Sequence, residues 1–193
     1  MYYDTMENFG VYKRDILVDR VEDVQEAQED TQEQFRDALE QYRAVVTFDG
    51  GDLEKLYKRL DREYQDSEEA AARISQRINA VEDVAEDLFD EWANEAREIG
   101  NARLRSDSLE KMRQTERAYK QLMSAMRRAE KKVYPVLATL RDQTLYLKHN
   151  LNARAITALK GELQTINSDV GTLIQEMQRA IDEADAFIDR MNK

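Results

Sequence analysis

The residue types that most often do chemistry are either scarce in this chain or set out as solvated surface. His149 is the sole histidine, so a two- or three-histidine metal site within one chain is impossible. The Glu-x-x-His pattern of di-iron helical bundles is absent, because Tyr146 stands where the glutamate would be. Close to a helix C-terminus, His149 is expected to cap carbonyl groups rather than serve as a general base. Carboxylate pairs abound, as in Glu68-Glu69, Glu82-Asp83 and Glu86-Asp87. General acid–base work needs a carboxyl group held in a pocket that moves its pKa, and nothing in these charge-dense stretches marks one. Gly50-Gly51-Asp52 matches the start of a cyclase signature, but Leu53 and Glu54 do not continue it. It reads as a turn followed by a helix cap. No phosphate-binding loop, nucleophile elbow or zinc-protease motif occurs. The chain has no cysteine, which removes disulfides, thiolate catalysis and cysteine-ligated metals. The expectation is a protein that is not an enzyme, with no catalytic residue, metal ligand or cofactor.

Charge offers more. The net charge is −11, which makes nucleic acid and anionic lipid poor partners, since phosphates are repelled. The charge is also segregated. Residues 1–100 carry 28 acidic and 12 basic side chains, whereas residues 101–150 carry 5 acidic and 12 basic. One reading is that a basic third helix lies against acidic first and second helices and so fixes helix order. Exposed pairs are individually weak, about 0–1 kcal/mol, but together they penalise wrong pairings. On that reading, most of Arg117, Lys120, Arg127, Arg128, Lys131 and Lys132 lie within reach of carboxylates from residues 12–99. The other reading makes Arg127, Arg128, Lys131 and Lys132 an exposed partner patch for an acidic protein, a polyanion or a phosphate-bearing glycolipid.

Long helices must position these groups. One proline and six glycines in 193 residues leave little material for loops, while 36% charged and 41% apolar residues fit amphipathic helices. Turn signals fall at Phe48-Asp49-Gly50-Gly51-Asp52, at Gly100-Asn101 through Ser108, and at His149-Asn150-Leu151-Asn152. Between them lie segments at roughly 12–46, 52–99, 108–148 and 153–191, each with apolar residues at alternating steps of four and three. The first runs Leu17, Val21, Val24, then Phe35, Ala38, Tyr42 and Val45, with Gln28 and Thr31 interrupting it. The fourth runs Ile156, Leu159, Leu163, Ile166, Val170, Leu173, Met177, Ala180, Ala184, Phe187 and Met191.

Such spacing averages about 3.5 residues and keeps one stripe facing a neighbouring helix in a left-handed supercoil. Flanking Leu56, Val84, Phe89, Leu122, Val136 and Ile188 widen the stripe toward a multi-helix bundle. The fold class is therefore all-α: a single domain over residues 1–193, an elongated antiparallel coiled-coil-like bundle of three to four long helices, four preferred. Asp52, Asp107 with Glu110, and Asn152 are expected N-terminal caps, with Gly100 and Asn150 in left-handed closing positions. A kink is expected at Pro135. The rival is one helix from 108 to 191, about 126 Å long, which would favour a homodimer. Tyr57, Tyr64, Trp92 and Tyr119 are assigned to the core, as are Met112, Met123, Met126 and Met177, although a methionine cluster also suits an adaptable groove. No apolar run approaches the roughly 20 residues that span a bilayer, so the chain as given reads as soluble.

Four strings carry a resemblance. They are Lys13-Arg14-Asp15-Ile16-Leu17-Val18-Asp19-Arg20-Val21, Phe48 through Leu53, Val81 through Trp92, and Leu145 through Ile156. Together they resemble a bacterial family catalogued as domain of unknown function 2959. The resemblance implies no activity and no site residues. It implies a lipoprotein-type signal peptide whose lipidated cysteine lies just before the Tyr-Tyr region. Met1 stands where that leader would be, so either the leader has been removed or this member is cytoplasmic. The functional expectation is a non-enzymatic structural or protein-interaction protein of the bacterial cell envelope, periplasmic and membrane-anchored in its precursor. The alternative is a helical binding module that uses the basic patch on the third helix for an acidic or phosphate-bearing ligand.

Overall fold

The computed structural model describes the backbone of residues 3–192 and the side chains of residues 12–192. The leader question, which turns on Met1 and Tyr2, lies outside the described residues. The chain is 93% helical, with four helices and no strand among the described residues. They are α1 (Tyr3–Val46), α2 (Leu53–Glu98), α3 (Ala102–His149) and α4 (Ala153–Met191). None is long and apolar enough to cross a membrane.

The ends are set by short polar side chains. Asp52 Oδ1 accepts from Lys55 N at 3.1 Å, capping α2. Gly50 and Gly51, with φ of 152° and 116°, make the preceding turn in a conformation closed to ordinary L-residues. The expected start of α3 is corrected: it begins at Ala102, not near 108. Asn101 Oδ1 accepts from Arg103 N and Leu104 N at 3.0 and 3.2 Å. Asp107, inside the helix, pairs instead with Lys111 one turn on. Gly100 and Asn150 do not adopt positive φ. Asn150 closes α3 through its side chain, whose Nδ2 donates to the Tyr146 carbonyl at 3.0 Å. Asn152 Oδ1 then caps α4 through Arg154 N and Ala155 N. Asn150, Leu151 and Asn152 separate α3 from α4, so the single long helix is ruled out. Pro135 removes one backbone donor, yet α3 continues through it without interruption.

The helices contribute to two compact units. Unit 1 comprises Met1–Glu26, Gln76–Arg127 and Arg179–Lys193. In it α1 meets α2 through Asp23 with Arg77 at 2.8 Å and Lys13 with Glu91 at 2.9 Å. α2 meets α3 where Trp92 Nε1 donates to Ser108 Oγ at 3.0 Å. α4 meets α1 where Gln25 Nε2 donates to Asp185 Oδ1 and the Ile181 carbonyl. Leu17, Val21, Ile78, Val81, Leu122, Met126, Ala184 and Phe187 fill the middle.

Unit 2 comprises Ala27–Ser75 and Arg128–Gln178. There Gln34 Nε2 donates to Glu63 Oε2 at 2.9 Å, joining α1 to α2. Ser75 Oγ donates to Glu130 Oε1 at 2.6 Å, joining α2 to α3. Arg128 faces Glu176 of α4 at 4.0 Å. Tyr42, wholly buried, donates its hydroxyl to the Leu159 carbonyl at 2.7 Å and closes α4 onto α1. Neighbours along the chain are neighbours in space within each unit, which is the up-down-up-down order with α3 across from α1.

The polar interruptions of the first stripe do lie inside. Thr31 returns its hydroxyl to the Ala27 carbonyl at 2.7 Å. Gln28 is 0% exposed, and neither its Nε2 nor its Oε1 has a hydrogen-bond partner. The α4 stripe from Leu159 through Phe187 is buried within the chain's own bundle, except Leu163, which is half-buried.

Candidate functional site

The basic stretch of α3 does not form the expected pairing with α1 and α2. Arg117 pairs with Glu110 and Lys120 with Glu116, both on α3 itself. Lys131 and Lys132 make no ion pair among the described residues. Carboxylates one or two turns away on the same helix are reached with less ordering of long side chains than carboxylates on another helix. Arg127 does reach α2, to Glu82 and, at 2.8 Å, to Asn79.

The four patch residues span an arc of about 140° on α3, with Arg127 beside Lys131 and Arg128 beside Lys132 one turn on. Successive helical residues are rotated by about 100°, so adjacent cations leave on different flanks. Arg127 turns to α2 in unit 1, while Arg128 turns to Glu176 of α4 in unit 2. Lys131 and Lys132 remain exposed in unit 2.

A different surface lies beside those lysines. Lys131, Tyr134, Ala138, Arg141, Leu145 and Lys148 follow three- and four-residue steps along α3, and all are exposed. Tyr134 is 52% and Leu145 47% exposed, with Tyr146 alongside at 41%. The Tyr134 hydroxyl lies 3.0 Å from Ser75 Oγ. Ser75 in turn is bonded to Glu130, so the ring is held with one face open. Tyr134 and Leu145 are eleven residues apart, which is about three turns and about 16 Å along the axis. The core face of the same helix carries Val133, Val136, Leu137, Leu140 and Leu147, all buried.

Unit 1 contains an open cleft of about 430 Å³. Its apolar wall includes Trp92, Ala118 and Phe187, and its cations are Arg14, Lys111 and Arg190. These come from all four helices. Arg14 Nη2 donates to the Met191 carbonyl at 2.6 Å, so it also closes the last turn of α4. Sequence reasoning missed this site, because it placed Trp92 wholly in the core. No local signal marked it, since Ala118 and Thr115, which line the cleft with Trp92, stand on another helix.

The remaining candidates separate cleanly. His149 is exposed and its side chain makes no hydrogen bond among the described residues; Asn150 does the capping expected of it. Glu68, Glu69, Glu82, Asp83, Glu86 and Asp87 are exposed. Tyr57, Tyr64, Trp92 and Tyr119 are half-buried at the rims of their units instead of filling the centre. Tyr119 packs on Phe89 with ring centroids 5.6 Å apart. Burial, then the Glu82 charge, pushes its phenol up to about 12. Glu95 is raised by burial first and by Glu91 and Glu98 next, with Lys13 opposing. Met123, Met126 and Met177 are buried and offer no groove, and Met112 is half-buried. Among the described residues, no group of three or more Asp, Glu or His side chains is placed to hold a metal ion.

No curated protein matches the chain. A family model described as a protein of unknown function, DUF2959, matches residues 2–191. That match takes in almost every residue that builds the four helices, the α3 face and the cleft, and the chain belongs to the DUF2959 family.

Proposed function

We propose that this chain is a non-enzymatic protein-interaction component of the bacterial cell envelope, and that it presents the outer face of α3 in unit 2 to an acidic partner. The observation that carries the reading is the line of exposed side chains Lys131, Tyr134, Arg141, Leu145 and Lys148, with Tyr146 beside it. Single exposed apolar residues are ordinary on a protein surface, but a line of aromatic and aliphatic groups bordered by cations suits a docking partner. Tyr134 is held by Ser75, so little freedom is lost when its ring is covered. Lys131 and Lys148 are cations of this line that the chain itself does not neutralise among the described residues. Envelope location is supported by the lipoprotein-type leader that the family resemblance implies.

The test uses the gene with its native upstream sequence. A photo-crosslinking residue is placed at Tyr134, at Leu145 and, as a control on exposed surface, at Asp87. The expected result is a discrete adduct from the first two positions, in membrane fractions that also carry the palmitate-labelled protein. The adduct should disappear on Lys131→Glu with Lys148→Glu while the melting temperature stays put. Equal adducts from all three positions would refute the surface assignment, and an unlabelled cytoplasmic product would refute the location.

A further inference from the structure

The cleft in unit 1 differs in charge from the rest of the molecule. The chain carries 40 acidic and 29 basic residues, yet the described residues lining the cleft include Arg14, Lys111 and Arg190 and no carboxylate. Two of the three are at hand for a ligand. Arg190 makes no side-chain hydrogen bond or ion pair among the described residues. Lys111 pairs only with Asp107, 3.2 Å away on the same helix, with both side chains more than half exposed. Such a pair is weak and easily exchanged. Arg14 is already engaged with the Met191 carbonyl and contributes a fixed positive charge.

Beneath these cations the wall is apolar. Phe187 and Ala118 are buried core residues whose edges reach the cleft. Trp92 is half-buried, and its indole N–H is committed to Ser108, which fixes the ring. Gln114 and Thr115 add neutral polar groups on the α3 side. The volume of about 430 Å³ falls within the roughly 300–1,000 Å³ of sites that take small organic ligands. A fully hydrophilic anion would leave the Trp92 and Phe187 surface unused. A neutral apolar molecule would leave Lys111 and Arg190 unanswered.

We propose that this cleft binds a single-chain anionic amphiphile: one negatively charged head held by Lys111 and Arg190 under the field of Arg14, and one hydrocarbon chain laid against Trp92 and Phe187. The head is a carboxylate or a phosphate, as in a fatty acid or a lysophospholipid. The site is separate from the α3 face of unit 2 and stands or falls independently of it.

Trp92 is the chain's one tryptophan, so its fluorescence reports on the cleft without a label. The whole chain is titrated, below micelle-forming concentrations, with dodecanoate, lysophosphatidylglycerol, dodecyltrimethylammonium and inorganic phosphate. The expected result is a saturable change with dodecanoate or lysophosphatidylglycerol, and whichever binds more tightly names the head group. Dodecyltrimethylammonium and inorganic phosphate should bind at least tenfold more weakly. Lys111→Glu with Arg190→Glu should weaken anionic binding at least tenfold at an unchanged melting temperature, since both side chains are exposed. Thr115→Trp, which fills the cleft from its rim, should do the same without a charge change, with binding then followed by calorimetry. Absence of saturation with both anionic amphiphiles, equal binding of the cationic one, equal binding of inorganic phosphate, or undiminished binding by the double variant would each overturn the proposal.

Discussion

Replacing Gln28 with leucine should stabilise the chain. Gln28 sits in the α1 stripe of unit 2 with no exposed surface, and both polar atoms of its amide lack a partner. In the unfolded chain that amide is hydrated, so folding removes water from it and returns nothing. Leaving a buried polar group unsatisfied costs about 1–3 kcal/mol. Leucine has a similar volume, no polar atom and a good helix propensity, so it removes the penalty without opening a cavity. For a chain of this length, 1 kcal/mol moves the melting temperature by about 2–4 °C. A rise of several degrees is therefore expected, with a matching shift of the urea midpoint at constant m-value. Gln28→Ala separates the polar effect from the packing effect, because it removes the same amide but leaves a void that costs stability. A leucine variant less stable than the parent would refute the reasoning and show that the Gln28 amide is satisfied in solution. A changed m-value would show instead that the unfolding unit itself had altered.

Other outcomes follow from single contacts. Tyr42→Phe keeps the ring and loses the hydrogen bond to the Leu159 carbonyl, for a loss of about 0.5–1.5 kcal/mol by denaturant titration. The Tyr42 phenol, raised first by burial and then by Glu162, should stay un-ionised in an alkaline absorbance titration until the chain unfolds. Glu95 has a raised pKa in the folded chain, so the folded state binds its proton more tightly and loses stability as pH rises from about 4.5 through the raised value. Glu95→Gln should therefore be more stable than the parent at neutral pH and indistinguishable from it below about pH 4.5, as read from melting curves across that range. Asn101→Ala and Asn152→Ala each remove a helix cap and should cost about 1 kcal/mol, read from the same denaturant titrations. Arg127→Glu should lower the melting temperature at low salt and less at high salt, because it faces Glu82.

The apolar stripes made the four helices legible, and Gln28 and Thr31, which interrupt the first stripe, are buried polar groups. Caps were legible where one candidate stood alone, as at Asp52 and Asn152. They were not where two competed. Asn101 and Asp107 both suit the start of α3, and the intervening Ala102, Arg103, Leu104 and Arg105 are good helix formers, so the earlier cap prevails. In the first half of α3 Ala118, Leu122 and Ala125 are buried beside Met123 and Met126, while Met112 and Tyr119 of the expected line are only half-buried. A broad apolar face does not say which of its edges points inward. The basic cluster lies along one broad face of α3, but that Arg127 pairs toward α2 and Arg128 toward α4 was not legible from its spacing. The cleft was hidden because Arg14 and Arg190 stand near opposite ends of the chain and meet only once α4 has closed on α1.

That closure has a bearing on synthesis. In both units the partner of α1 on one side is α4, through Tyr42 with Leu159 and Gln25 with Ile181. The 39 residues of α4 are made after the other three helices. Until they are, the side of α1 that meets α4 through Gln25 and Tyr42 is uncovered. Neither unit can complete its core before α4 has been made, since each includes part of that helix.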